Sequence, residues 1–107
     1  MTKTIFENKA VEGNDLGTRM WFPVRPNTSY LPPDCCSKIG KELPVKDENG
    51  TQWSLWCKKE NGKLCFTDGW TEFREERGVG RHHKISLYKD DDPFGSGAQY
   101  KITVTEN

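Results

Sequence analysis

Short runs in which apolar and polar residues alternate recur along the chain, separated by turn-forming residues. "KTIF" (residues 3–6), "RMWFP" (19–23), "KELPVKD" (41–47), "TQWSLWCKK" (51–59), "KLCFT" (63–67), "HKISLYK" (83–89) and "QYKITVTE" (99–106) carry this pattern or are dense in β-prone residues, which predicts strands. Asn-Gly occurs twice between such runs, in "DENGTQW" (47–53) and "KENGK" (59–63), and is the strongest short-range hairpin signal. The third, fourth and fifth strands are therefore expected to form an antiparallel meander. Pro23 ends the second strand or places it at an edge.

Helical signals are confined to two places. Pro33-Asp34 opens a brief helix through Cys35, Cys36 and Ile39, closed by Gly40. The other is in "GKLCFTDGWTEFREERGV" (62–79), where Asp68 or Thr67 is placed to cap a helix over 68–77 and Gly78 to end it. Trp70 and Phe73 share one face at i and i+3, and Glu72, Arg74, Glu75, Glu76 and Arg77 form the wet side. Such a helix can plug the open end of a barrel. The expected fold is mainly β, with seven strands in a closed or partly open barrel and two short helices.

The chain has 107 residues, which fits a single domain spanning 1–107. Only 33% of residues are hydrophobic and 30% are charged. The four Trp, five Phe and three Tyr supply the core, since each large aromatic buries about 150–250 Å². Sixteen basic residues balance sixteen acidic ones, so there is no global basic signal for nucleic acid. The charges are nonetheless grouped. Acid gathers at Glu72, Glu75 and Glu76 and at Asp90-Asp91-Asp92, base at Lys58, Lys59 and Lys63 and at Arg74, Arg77, Arg81 and Lys84. One face can therefore be basic in a neutral chain.

"MTKTIFENKAVEG" has no apolar signal-peptide core, and no run reaches the roughly 18–20 apolar residues of a membrane span. The expectation is an intracellular protein with no membrane association, free thiols and unused sequons at Asn27 and Asn49. Adjacent Cys35-Cys36 and His82-His83, even with Cys57 and Cys65, do not match zinc-ligand spacing, so no metal and no other cofactor is expected. Cys57 faces Cys65 if the 60–62 tip is a three-residue loop, and a two-residue Asn61-Gly62 loop shifts the pairing by one. Gly13, Gly17, Gly78 and Gly80 make no phosphate-binding fingerprint. With no nucleophile motif or acid–base pair either, the chain is not expected to be an enzyme.

Several motifs, arranged along the chain in the family's order, resemble the plant B3 DNA-binding domain family. "W-x-L-W…GKLCFTDGWTEFREERGV" resembles its hairpin running into a Gly-Trp-x-x-Phe helix. "F-E-N-K…N-D-L-G-T-R-M-W-F-P" is similar to its first strand, polar loop and Arg-apolar-Pro strand, and "K-D-E-N-G-T-Q-W" to its Asp-x-x-Gly-x-x-Trp hairpin. The resemblance covers about residues 4–105. His82-His83 stands where the family usually has Gly-Asp, and the loop before Arg19 is shorter than in many members.

The resemblance implies a seven-stranded open barrel (a B3 pseudobarrel) that binds double-stranded DNA through the major groove, as a nuclear plant transcription regulator. Two arms are implied to do the work. Residues 9–19 carry Lys9, Asn14, Asp15, Thr18 and Arg19; residues 56–63 carry Lys58, Lys59, Asn61 and Lys63. Lys and Arg suit phosphates, while Asn matches the adenine edge and Arg the guanine edge. Asp15 is expected to orient Arg19 or to accept from cytosine. Trp53, Trp70, Phe73 and Leu87 belong to the scaffold. His82-His83 is expected at a strand entrance, and Asp90-Asp91-Asp92 away from the arms. A monomer with room for protein partners is expected. The alternative is a B3-like barrel that has lost DNA binding and serves protein–protein interaction; it gains if Glu12, Asp15 and Glu60 dominate the arm face.

Overall fold

A computed structural model describes residues 2–90 and 100–106. Seven strands form one sheet: β1 (Thr2–Ala10), β2 (Met20–Pro23), β3 (Lys41–Lys46), β4 (Gln52–Glu60), β5 (Lys63–Phe66), β6 (His83–Asp90) and β7 (Tyr100–Glu106). Their order is β1-β6-β7-β3-β4-β5-β2. Every pairing is antiparallel except β3 with β7. The expected meander is therefore present as β3-β4-β5.

The sheet curls until its two ends meet without pairing. Among the described residues no backbone ladder joins β1 to β2; the Phe6 ring instead packs on Phe22 with centroids 4.7 Å apart. This is an open barrel closed by side chains. Inward positions alternate as the pleat requires: Leu43 and Val45 on β3, Leu55 and Cys57 on β4, Ile85 and Leu87 on β6 and Ile102 on β7 are all buried. β1 runs past Phe6 to Ala10, with irregularities at Ile5 and at Glu7-Asn8 interrupting its register. Asn8 has φ 56°, and its N–H donates to Ser86 Oγ at 2.9 Å.

One α-helix, α1 (Trp70–Arg77), follows β5, with Trp70 and Phe73 fully buried. Phe73 also meets the Trp53 ring edge-on at 5.2 Å, so the expected plug is present. Its expected cap is not. Neither Thr67 nor Asp68 caps the helix; Gly69 does, at φ 90° and with no side-chain bond. The reason is steric, because an ideal Cβ on Gly69 would lie 2.1 Å from the Ser54 carbonyl oxygen of β4. The helix starts abruptly because the chain must turn flat against that strand. Gly78 ends it, as expected.

The other expected helix shrinks to one 3-10 turn, Pro33–Cys36. Ile39 stands outside it, 83% exposed. Backbone bonds to β4 compete with helix propagation here, the Lys59 N–H donating to the Ser37 carbonyl at 2.9 Å. Further 3-10 turns occupy Gly13–Leu16 and Pro26–Tyr30. Of the acidic run, Asp91 and Asp92 lie outside the described residues, as does the loop that follows. Asp90 pairs with Thr2, at the end of β1 and β6 opposite the Ala10–Lys84 pair.

Candidate nucleic-acid interface

The second arm is the β4–β5 hairpin. Glu60 pairs with Lys63, Lys59 with Leu64, Lys58 with Cys65 and Cys57 with Phe66. The tip is thus the two-residue Asn61-Gly62 loop, and Cys57 does not face Cys65. Asn61 and Gly62 have φ of 54° and 78°, the left-handed pair whose twist matches flanking strands. Lys59, Asn61 and Lys63 are exposed and Lys58 is half-buried. All four cysteines are free thiols. Cys57, at the root of the arm, is pushed far above the ordinary thiol range by its hydrogen bond with Cys35 and then by burial.

The first arm leaves β1 at Ala10 and is organised by Asp15. This carboxylate is only 2% exposed. Its Oδ2 accepts from the Glu12 N–H at 2.9 Å and from Lys9 Nζ at 2.7 Å, and its Oδ1 from the Trp21 N–H at 3.0 Å. The Asp15 carbonyl accepts from Trp70 Nε1 at 2.7 Å. The expectation that Asp15 orients Arg19 or reads cytosine is corrected: a buried carboxylate with three protein donors ties the loop together. The plug helix therefore also holds this arm, which the sequence did not reveal. Asn14 and Thr18 are exposed.

Arg19 turns instead to the other arm and pairs with Glu60. Lys58 lies 3.8 Å from the same carboxylate. The arms are thereby joined across a groove of about 470 Å³, whose lining includes Lys9, Asn14, Trp21, Asn61 and Lys63. The candidate cations fall into two sets. Lys9, Arg19 and Lys58 are paired with protein acids, whereas Lys59 and Lys63 make no ion pair among the described residues. Asp15 and Glu60 are thus matched by base, while Glu12 is exposed on the groove with no ion pair among the described residues; the five arm cations outnumber these three acids, so acid does not dominate this face.

Two polar side chains anchor the barrel ends, one at the root of the first arm and one at the opposite end of β4. His83 opens β6, as expected; its carbonyl accepts from the Val11 N–H at 3.1 Å and its Nδ1 from the Gly80 N–H at 2.9 Å. At the far end of β4, Asp47 accepts from the N–H groups of Asn49 and Thr51, from Trp53 Nε1 at 2.9 Å and from Arg77 Nη1 at 2.9 Å. Burial raises the carboxyl pKa, but these bonds together with the Arg77 charge outweigh it and hold Asp47 below its usual value.

No family model matches the chain, and no curated protein is significantly similar to it. Solved structures are similar in fold. The Arabidopsis FUS3-DNA complex superposes with a TM-score of 0.74 at 19% identity, covering 97% of this chain and 98% of that one. The hypothetical Arabidopsis thaliana protein At1g16640.1 superposes with a TM-score of 0.64 at 17% identity, covering 100% of this chain and 91% of that one. At such identities the likeness establishes the fold, and the chain is built as the seven-stranded B3-type pseudobarrel that its motifs led us to expect.

Proposed function

We propose that this chain binds double-stranded DNA with its two arms in the major groove, as a non-enzymatic transcription regulator of the plant nucleus. The observation that carries the reading is the pair of arms facing each other across one groove, with Asn14, Asn61 and Lys63 exposed on its lining and Thr18 and Lys59 exposed on the same arms. Its support from fold is that a structural neighbour was solved as a DNA complex. Lys59 and Lys63 contact phosphates, and Asn61 and Arg19 read base edges. Arg19 does so by exchanging Glu60 for a guanine. Lys9 and Asp15 hold the first arm in shape.

The test is fluorescence anisotropy with random duplexes over a salt series. The phosphate contacts of Lys59 and Lys63 give a log–log slope of about −2, and sequencing the bound fraction then yields the site. Absence of binding at low salt would overturn the reading and turn the search to protein partners.

A further inference from the structure

The chain between the Pro33–Cys36 turn and β3 is clamped onto the outer flank of the second arm. The Lys59 N–H donates to the Ser37 carbonyl at 2.9 Å, and Trp56 Nε1 to the Ile39 carbonyl at 3.0 Å. Ser37 Oγ accepts from the Gly40 N–H at 3.0 Å. Gly40 has φ 84°, and an ideal Cβ there would lie 2.6 Å from both the Cys57 oxygen and Lys58 Cβ. Only glycine permits so close an approach. The turn is thus fixed in position by contacts to the arm itself.

That clamp presents Lys38. It is exposed, makes no ion pair among the described residues, and lines a second groove of about 440 Å³ with Lys58, Lys59, Glu60, Asn61 and Gly62. Asn61 lies on both grooves, so the hairpin tip is a ridge with cations on either flank: Lys63 inside, Lys38 and Lys59 outside. A ridge entering a major groove meets a phosphate strand on each side. We infer that Lys38 is a third DNA-contacting element, a phosphate clamp on the outer flank of the second arm that fixes its depth and register.

This inference rests on the DNA-binding reading. One phosphate contact scales binding by salt to the power of about −0.9, which is a factor of about five at 0.15 M salt. Lys38→Ala, Lys38→Arg and Lys59→Ala are compared with the unaltered chain by anisotropy on random duplexes across a salt series. Lys38→Ala is expected to weaken binding about fivefold on every duplex and to flatten the slope by about 0.9, with Lys38→Arg restoring both. An unchanged slope in Lys38→Ala, while Lys59→Ala flattens its own, sinks the clamp and leaves the arms standing. If the unaltered chain does not bind, both fall together.

Discussion

Replacing Asp15 by asparagine separates two roles that a carboxylate in this loop can have. Asparagine keeps one carbonyl oxygen, enough for the Trp21 N–H. Its amide nitrogen then meets two donors, the Glu12 N–H and the Lys9 ammonium, at 2.9 and 2.7 Å in the native loop. Hydrogen bonds to charged groups contribute about 1.5–3 kcal/mol each. Lys9 keeps its bond to the Ala10 carbonyl and is 18% exposed, so the low end applies. Two such bonds amount to about 3 kcal/mol. In urea, with an m value of about 1.5 kcal/mol per M, the unfolding midpoint falls by about 2 M.

A domain with stability in the usual range of about 5–15 kcal/mol stays folded without urea after this loss, so binding can be measured on the same sample. A loosened first arm weakens binding to all duplexes by a common factor. A base-reading Asp15 would instead leave the midpoint in place and change the preferred sequence. A midpoint shift below about 0.3 M would refute the organising role.

Gly69→Ala adds a methyl group 2.1 Å from the Ser54 oxygen at φ 90°, and is expected to cost at least about 2 kcal/mol; a melting temperature within 3 °C or so of native would contradict the steric account. Asp47 is held below its usual carboxyl value, so its contribution is full above the unfolded pKa near 3.9 and is lost as pH falls through the lower folded value. Asp47→Asn should therefore reduce stability near neutrality and flatten its decline below about pH 4, read by urea titrations at several pH values; an equally steep decline would be evidence against it. Glu60→Gln removes the acid that pairs with Arg19 and lies near Lys58. Both pairs are partly exposed, so stability should change by less than about 0.5 kcal/mol, while the salt slope for DNA steepens by about 0.9; weaker binding would show that Glu60 positions Arg19 rather than neutralising it.

The strands were legible because each carries its own period: Leu43 and Val45 or Ile85 and Leu87 alternate with polar neighbours wherever one face is buried. β1 was read short at Phe6 because its irregular register hides the alternation beyond. The cap of α1 was misread because local side-chain chemistry at Thr67 and Asp68 yields to Ser54, a strand away. The turn at 37–40 failed for the same reason, its backbone being taken by Lys59 and Trp56. At the site, exposed positions such as Asn61 and Lys63 could be placed from the hairpin signal. The role of Asp15 could not, because its burial and the bond of its carbonyl to Trp70, 55 residues away, arise only when the barrel brings α1 against the loop. Lys38 carried no pattern of its own.

Neutral net charge argues against nucleic acid only where the balancing acid lies close to the arm cations, and part of that acid lies at the far end of β4. Its Gln52 end adjoins the groove lined by Asp47, Glu72, Glu75 and Glu76 together with Arg77, while its Glu60 end is the root of the arm tip. Nine residues make eight steps, or about 26 Å at strand rise. The Debye length at physiological salt is about 8 Å, so across three such lengths the acid of the helix end has almost no influence at Lys59, Lys63 and Lys38. At 0.01 M salt the length grows to about 30 Å, and the whole-chain neutrality is felt. For this molecule the arm cations are therefore opposed by remote acid most strongly in dilute salt. That opposition bends the log–log salt plot toward a shallower slope at its low-salt end, whereas a chain that is basic throughout would stay linear there.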